Sequence, residues 1–437
     1  MEGAALDIFI ILSVVVSIAL GYFLKMNIGY FAITFAYLIG AFILKMSPKA
    51  IIGLWPVDFF FTLFAITLFY GFALSNGTLD AMARRVVYWS RNISWFIPIA
   101  LFLSCIFLAG IGPGALLIFV FMPPIIMMVC KQSNVNPLLG AICMWSGGNL
   151  GGWFIIGLNG VITKELIAKS SSAYAGAAGD MAMGVFIKMA IVMTITFFIA
   201  YFLLKGYKAT PSSEGAPTPL TREQIVNMWL IGIILIFTIV PAVLFRIYPD
   251  SGFLKFFSAS MNLPLLSIIG VVASILLKLA NEKEAMKFVP WNLIILLCGV
   301  AMLIGVAVKA GTIKALASLV GTTIPAALMP YGVSVISAAM SYCSSTLGVV
   351  MPTLYPIIPG IVEATGGAVD AVLLFALVCI ASTFAGLSPF SSVGALSLSG
   401  VQDEKERNKL FTQLLFIPFI GVAFLLVLIF IGLLNIG

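Results

Sequence analysis

The sequence contains no histidine and few charged residues, since only 9% of its 437 residues are Asp, Glu, Lys or Arg. The absence of histidine removes the commonest transition-metal ligand and the commonest proton relay of proteins. The six cysteines are spread singly along the chain with no CxxC pair, so we expect neither a disulfide framework nor a zinc site. No nucleophile–base pair or phosphate-binding loop is present, so the sequence predicts no enzyme and no cofactor. The net charge of +7 fits the loops of a membrane protein and does not indicate nucleic-acid binding.

What the sequence does contain is hydrophobic residues, which make up 62% of the chain. A soluble core does not use this mixture at this length, so the chain is predicted to be an all-α polytopic membrane protein embedded in the lipid bilayer. Apolar runs of spanning length predict about ten transmembrane helices, at residues 5–25, 27–46, 56–76, 137–163, 181–204, 225–248, 262–280, 289–310, 368–400 and 409–436.

Two further apolar stretches, 93–130 and 324–363, are too long for one helix and are broken centrally by Gly, Pro or hydroxyl residues. We interpret both as re-entrant helical hairpins, which enter the membrane and return on the same side. The segment 206–224 is rich in Pro, Ser and Thr and is the best candidate for a linker. It divides the chain into an N-terminal half, 1–205, and a C-terminal half, 225–437.

The two halves resemble each other. Residues 55–86 align without a gap on residues 289–320, and in both segments a Gly-Thr step leads into a short amphipathic helix (78–92 and 311–322) and then a hairpin. Because five spans and one hairpin cross the membrane an odd number of times, the second repeat is predicted to be inverted. Inverted repeats with interrupted helices are typical of secondary transporters. In such carriers, spans 1–3 and 6–8 would form a scaffold, and the hairpins and broken spans would move.

The distribution of positive charge predicts the orientation. The larger share of the 23 Lys and Arg residues lies on the side opposite the termini, including Arg84, Arg85, Lys131, Lys205 and Arg222. We therefore predict a multi-pass protein of the cell (inner) membrane with its termini outside and the linker 206–224 in the cytoplasm. Hairpin 93–130 would then enter from the cytoplasm and hairpin 324–363 from outside.

Four breaks at membrane depth are the candidate functional features: residues 109–115, 146–154, 343–348 and 384–397. Backbone outside a helix survives there only where protein or a wet cavity satisfies it. Helix ends at such breaks attract ions, and neutral oxygens can coordinate Na⁺ or hydrogen-bond a carboxylate. These oxygens belong to Ser344, Ser345, Thr346, Asn149 and Ser388.

No chain of carboxylates crosses the predicted spans, which favours Na⁺ over proton coupling. Asp58 opens the third span. It is either a coupling-ion ligand or, as we favour, a carboxylate that stabilises its helix N-terminus.

The segments GLWPVDFFFTLFAITLFYGFALSNGTLD, GPGALLIFVFMPP and GGNLGGWFIIGLNGVITKELIAK resemble the N-terminal half of the MatC-type dicarboxylate (malonate) carriers. In the second half, SSTLGVVMPTLYP and FAGLSPFSSVGALS are similar to the wider ion-transporter superfamily of divalent anion:sodium symporters. The resemblance implies a homodimer of scaffold and transport domains that works by an elevator motion. It also implies two Na⁺ sites where each hairpin tip meets the adjacent broken helix, with the carboxylate substrate between them.

Carried onto this chain, the resemblance gives two sets of candidate residues. The expected Na⁺ ligands are Gly112, Pro113, Gly114, Asn149, Ser344, Ser345, Thr346, Ala385 and Ser388. The expected substrate-binding residues are Gly114, Ala115, Asn149, Gly151, Ser345, Thr346, Ser388 and Pro389.

The leading hypothesis is Na⁺-coupled symport of a small organic anion, such as malonate or another C3–C4 dicarboxylate. Two alternatives remain: an exchanger or exporter of another anion on the same fold, and the membrane subunit of a transporter that depends on a soluble binding protein.

Overall fold

The computed structural model describes residues 3–24, 26–90, 92–112, 114–211, 218–248, 251–342, 345–389, 393, 397–398, 401 and 403–435. The described residues are 82% helical and include no β-strand.

In the N-terminal half the helices are α1 (Gly3–Leu24), α2 (Ile28–Leu38), α3 (Pro48–Ile52), α4 (Val57–Ser75), α5 (Thr78–Ser90), α6 (Ile97–Gly110), α7 (Gly114–Gln132), α8 (Pro137–Gly152), α9 (Leu158–Ser170), α10 (Ser172–Ala175) and α11 (Ala178–Leu203). A π-helical turn, Ile39–Ile43, extends α2, and short 3₁₀ turns lie at Ser94–Phe96 and Gly206–Lys208.

In the C-terminal half they are α12 (Arg222–Ile247), α13 (Gly252–Ser260), α14 (Leu263–Leu276), α15 (Glu282–Lys287), α16 (Trp291–Ala310), α17 (Thr312–Thr323), α18 (Met329–Tyr342), α19 (Met351–Leu354), α20 (Ile358–Ala364), α21 (Ala371–Ala385) and, as we number it, α22 (Glu404–Phe430). A π-helical turn, Thr346–Val350, precedes α19, and 3₁₀ turns lie at Ala326–Leu328 and Tyr355–Ile357.

Six helical segments of the described chain are long and apolar enough to cross a membrane. They are Val57–Ser75, Ala178–Leu203, Arg222–Pro241, Trp291–Ala310, Thr346–Ala364 and Glu404–Phe430. At 1.5 Å per residue, a helix needs about 20 residues to cross a hydrocarbon core about 30 Å thick. Shorter apolar helices, such as Leu6–Gly21 and Ile28–Ile43, occupy the positions of other predicted spans.

Residues 93–130 form a helix–turn–helix, as their composition predicts. Helix α6 ends at Gly110, a turn follows at Ile111 and Gly112, and α7 begins at Gly114; Pro113 lies outside the described residues. Helix α8 packs along both arms of this hairpin. In the second hairpin α18 ends at Tyr342 and the π-helical turn resumes at Thr346, with Cys343 and Ser344 outside the described residues.

The first broken span differs from the expectation. The run Ser146–Gly152 is helical throughout, and the non-helical residues are 153–157, between α8 and α9. The glycines of this run serve close helix packing, because a Cβ built on Gly147 would lie 2.5 Å from the carbonyl oxygen of Phe102 in α6. In the second broken span α21 ends at Ala385, and residues 386–389 are non-helical, within the predicted segment.

Helix packing in one half recurs in the other. Helix α2 packs on α16 as α14 packs on α4; α6 packs on α8 as α18 packs on α21; α8 packs on α11 as α21 packs on α22. In each of these three comparisons, one helix pair becomes the other when every helix is replaced by its equivalent in the predicted repeat. The contacts of α2 with α16 and of α14 with α4 also join the N-terminal half to the C-terminal half, so the two halves are packed into each other.

The crossing of α2 and α16 brings two backbones together. A Cβ on Gly299 would lie 2.5 Å from the carbonyl oxygen of Gly29, and a Cβ on Gly29 would lie 2.4 Å from that of Ile295. At the end of this crossing Asn27 Nδ2 donates a hydrogen bond of 2.7 Å to the carbonyl oxygen of Asn292. Helices therefore meet here at a distance that only glycine permits.

The Gly-Thr steps form two equivalent elbows, residues 76–78 and 310–312. Gly77 has φ +72° at the end of α4, and Gly311 has φ +87° at the end of α16. Glycine adopts this left-handed conformation without a Cβ clash, so it ends one helix and turns the chain into the next. The amphipathic helices α5 and α17 start directly after the turns.

Each elbow is held by the first helix of the opposite half. The Thr312 hydroxyl donates a 2.7 Å hydrogen bond to the Asp7 carboxylate of α1. The Gln224 side chain of α12 donates a 3.1 Å hydrogen bond to the carbonyl oxygen of Asn76. The elbows are thus fixed to the helices predicted to form the scaffold.

Candidate functional site

The first hairpin tip, residues 111, 112 and 114 of the described chain, contains two backbone positions that suit glycine. Gly112 has φ +134° and Gly114 has φ +75°. A Cβ on Gly112 would lie 2.3 Å from the hydroxyl oxygen of Tyr70, and that hydroxyl donates a hydrogen bond to the carbonyl oxygen of Ile111. The tip is therefore pressed against α4, a helix outside the hairpin.

The first tip also lies against the end of α8. A Cβ on Gly152 would lie 2.7 Å from the backbone nitrogen of Ala115, and a Cβ on Gly151 would lie 2.9 Å from that of Gly110. The structure thus brings together three of the predicted substrate-binding positions, Gly114, Ala115 and Gly151. Their backbones approach without intervening side chains, so a small ligand here would meet peptide groups directly.

Asn149 lies in the last turn of α8 and is 5% exposed. Its Nδ2 donates to the carbonyl oxygen of Trp145, four residues earlier, at 2.8 Å. The prediction that Asn149 lies inside a break is therefore wrong, because the residue is helical. The observed break begins four residues later, at residue 153. Its amide projects from a helix whose end contacts the tip.

Sequence reasoning missed Asn159, the second residue of α9. Its side chain is 1% exposed, and its Oδ1 has no hydrogen-bond partner. A Cβ on Gly114 would lie 3.1 Å from this oxygen. The signal in the sequence was the only side-chain amide in the stretch FIIGLNG, residues 154–160, which follows Trp153 directly.

The second tip carries hydroxyl groups that bond to one another and to the backbone. Ser345 Oγ accepts a 3.1 Å hydrogen bond from the backbone nitrogen of Gly348, which caps the following π-helical turn. The Thr346 hydroxyl lies 3.2 Å from that of Ser341. Ser341 in turn donates a 2.8 Å hydrogen bond to the carbonyl oxygen of Ser382 in α21. The second tip is thereby tied to its neighbouring broken helix, while the predicted ligand Ser344 lies outside the described residues.

The end of α21 faces this tip. A Cβ on Gly386 would lie 3.9 Å from Thr346 Oγ1. Ala385 ends the helix and is 2% exposed, and Ser388 and Pro389 are buried in the turn that follows. The predicted residues Thr346, Ala385 and Ser388 therefore lie in one neighbourhood, in which Ala385 and Ser388 are buried and Thr346 is partly buried.

The two neighbourhoods meet through α8 and α21. Trp145 Nε1 donates a 3.3 Å hydrogen bond to the carbonyl oxygen of Thr383, and its ring lies 5.2 Å from that of Phe384. Both residues of α21 lie within three positions of its end. The contact of Trp145 with Thr383 and Phe384 therefore joins the two broken helices, α8 and α21.

Charged groups play other roles. Asp58 lies exposed in the first turn of α4, where a carboxylate interacts favourably with the helix dipole. Lys188 lies inside α11 and is 3% exposed. The described residues contain no group of three or more His, Cys, Asp or Glu side chains able to hold a metal ion.

Comparison with known proteins gives one family match. Residues 4–152 match the family model described as "Dicarboxylate carrier protein MatC N-terminus". The match runs from α1 to the end of α8 and so includes the first hairpin and its tip. No curated protein matches the chain. The resemblance predicted from the sequence is confirmed over this region, and the long apolar helices support a multi-pass membrane protein.

Proposed function

Starting from the match of residues 4–152 to the MatC dicarboxylate carriers, we propose that this chain is a secondary active transporter that couples Na⁺ to the import of a small dicarboxylate. The substrate would be malonate or another C3–C4 acid. The observation that carries the proposal is the pairing of each hairpin tip with the end of a broken helix, once in each half of the chain.

The chemistry of both tips suits a hard monovalent cation. Gly112 and Gly114 form the first tip, Gly151 packs against its first arm, and Asn149 lies in the last turn of α8. Ser345 and Thr346 lie at the second tip, with the buried Ser388 after α21. We propose peptide and side-chain oxygens of these residues as Na⁺ ligands, with Ser344, Pro113 and the Ala385 carbonyl as further proposed ligands. These oxygens are neutral, so a bound cation adds charge to each site. Na⁺ takes such ligands readily in interrupted membrane helices.

A dianion would bind between the two cations. Helix α7 begins at the first tip, and the π-helical turn begins at the second. In the proposed site the partial positive charges of these two helix N-termini would face the substrate. Ala115 and Pro389 would line this region. The bound cations and the helix N-termini together would balance the two carboxylates.

The packing supports an elevator motion with the hairpins, α8, α9, α11, α21 and α22 as the moving part. The predicted scaffold touches both tips: Tyr70 of α4 binds the first, and a Cβ on Gly348 beside the second would lie 2.3 Å from Leu296 of α16. The recurrence of helix pairs favours two inverted repeats. In the proposed assembly two scaffolds form a homodimer.

In the proposed orientation the termini lie outside the cell membrane and the linker 206–224 lies in the cytoplasm. The backbone nitrogen of Thr210 donates a 2.8 Å hydrogen bond to the carbonyl oxygen of Ser133, and Arg85 donates one of 2.8 Å to that of Thr218. The linker thus lies on the same side as Arg85 of α5 and the C-terminal end of α7, which carries Lys131, as the proposed orientation requires.

The proposal is tested by uptake into proteoliposomes of the purified protein, with radiolabelled malonate, succinate, malate, citrate and a monocarboxylate. We expect uptake of a dicarboxylate that requires an inward Na⁺ gradient and is lost in Asn149→Ala and Thr346→Ala. Thr238→Ala is the matched control, because the Thr238 hydroxyl only bonds the carbonyl oxygen of Ile234 within α12. Uptake that ignores Na⁺ would refute symport, and uptake that needs an added soluble protein would favour a multi-component transporter.

A further inference from the structure

The side-chain oxygen of Asn159 is a buried hydrogen-bond acceptor without a partner. The side chain is 1% exposed, and its Oδ1 accepts no hydrogen bond. The backbone of Asn159 is part of the regular helix α9, and its carbonyl oxygen accepts a 2.8 Å hydrogen bond from the Thr163 hydroxyl in the same helix. Strain in the helix therefore does not explain the unpaired side-chain oxygen.

The position of this carboxamide is fixed from two sides. A Cβ on Gly114 would lie 3.1 Å from Asn159 Oδ1, and a Cβ on Gly152 would lie 3.3 Å from Asn159 Nδ2. The side chain is therefore held between the first hairpin tip and the end of α8. Both neighbours are glycines, so the amide meets backbone there.

An unpaired hydrogen-bond acceptor in this buried position lowers the stability of the folded protein. Leaving a buried acceptor unpaired costs about 1–3 kcal/mol, and buried side-chain polar atoms in proteins are nearly always paired with protein, water or an ion. A carbonyl-type oxygen can be satisfied only by a hydrogen-bond donor or by a cation. The backbone nitrogens of Leu158 and Ala115 are among the atoms nearest to the Gly114 and Gly152 positions, yet no donor in the described part of the chain is placed to hydrogen-bond Asn159 Oδ1.

The surrounding backbone favours a cation. A Cβ on Gly157 would lie 2.4 Å from the carbonyl oxygen of Gly152 and 2.9 Å from that of Gly151, so carbonyl groups crowd the same turn. Amide and peptide carbonyl oxygens are ligands that hard cations accept. We propose that Asn159 Oδ1 is a direct ligand of the monovalent cation bound at the first tip. This inference rests on the proposed Na⁺ coupling and adds to it a residue from beyond the break.

The test measures Na⁺ binding without transport. Purified protein in detergent is heated at a series of Na⁺ concentrations, with choline replacing Na⁺ at constant ionic strength, and the unfolding midpoint is recorded. A ligand that binds only the folded protein stabilises it in proportion to the logarithm of its concentration above Kd. We expect Asn159→Leu to weaken the apparent Na⁺ affinity by about tenfold or more, and Asn159→Asp to retain it. Asn227→Leu is the matched control, since Asn227 in α12 is also fully buried and unpaired.

Leucine is chosen because it has nearly the shape of asparagine and carries no oxygen. In Na⁺-free buffer Asn159→Leu should therefore be at least as stable as the natural protein, because an unpaired acceptor has been removed. If the variant is much less stable there, Oδ1 has an ordinary structural partner and the inference fails. It also fails if the natural protein and Asn159→Leu show the same Na⁺ affinity. If the natural protein itself gains no stability from Na⁺, the proposed coupling fails as well.

Discussion

The contact between Tyr70 and the first tip leads to a sharp prediction. Tyr70 is fully buried in α4, and its hydroxyl donates to the carbonyl oxygen of Ile111, the residue that follows α6. Tyr70→Phe keeps the ring and removes only this hydrogen bond. The Ile111 carbonyl then lies buried without its donor, at a cost of about 1–3 kcal/mol to the state in which the tip rests on α4.

An energy of this size changes the population in which the tip has left α4 by roughly 5- to 150-fold. The assay is hydrogen–deuterium exchange by mass spectrometry of the peptide spanning residues 107–116. We expect its amides to exchange faster in Tyr70→Phe by a factor in this range, because local opening controls their exchange.

Tyr201→Phe is the matched control for this experiment. The Tyr201 hydroxyl donates a 2.9 Å hydrogen bond to the carbonyl oxygen of Trp95, at the entrance of the same hairpin, and Tyr201 is 4% exposed. Its loss should loosen the entrance and leave the tip unchanged. If the tip exchanges equally fast in Tyr70→Phe and in the natural protein, the hydrogen bond does not hold the tip, and the reasoning is refuted.

Three further substitutions test the packing, each by thermal unfolding in detergent. Gly112→Ala should destabilise the protein by about 2 kcal/mol or more, since alanine is strained at φ +134° and its Cβ would overlap the phenol ring of Tyr70. Gly110→Ala is the control, because a Cβ at that position meets only ordinary van der Waals contacts. Equal destabilisation by the two substitutions would contradict this reasoning. Gly299→Ala should cost about 1–3 kcal/mol by forcing α2 and α16 apart, while Gly232→Ala, with nothing within 4 Å of its Cβ, should cost nothing. Asp7→Ala should cost about 1 kcal/mol by freeing the elbow hydroxyl, and Asp7→Asn should restore most of it; two equally unstable variants would show that the hydrogen bond is not what matters.

The sequence predicted helix boundaries well where an apolar run is bounded by residues that start or stop a helix, such as proline and glycine. The run predicted at 289–310 became α16, Trp291–Ala310, because Pro290 precedes it and Gly311 adopts the left-handed conformation that ends it. The turn of the first hairpin followed from Gly112 and Gly114, whose positive φ values other residues rarely adopt. Local backbone chemistry sufficed in both cases.

The first broken span shows where local chemistry is ambiguous. Glycines in the run 146–152 suggested a break, yet this run is helical because glycine also allows close packing against α6. Asn159 and Tyr70 were missed for a different reason. Their importance depends on which backbone lies opposite them, and no pattern within α9 or α4 reveals that neighbour.

The crossing of α2 with α16 has a consequence for the synthesis of the protein. Asn27 and its hydrogen-bond partner Asn292 are separated by 265 positions. At about 5–20 residues per second, a ribosome needs roughly 13–53 s to make that length of chain. During this interval α2 lacks the partner that α16 supplies, so the surface around Gly29 is open to lipid or to other proteins. A nascent chain that stalls at the linker would therefore expose this surface to quality control.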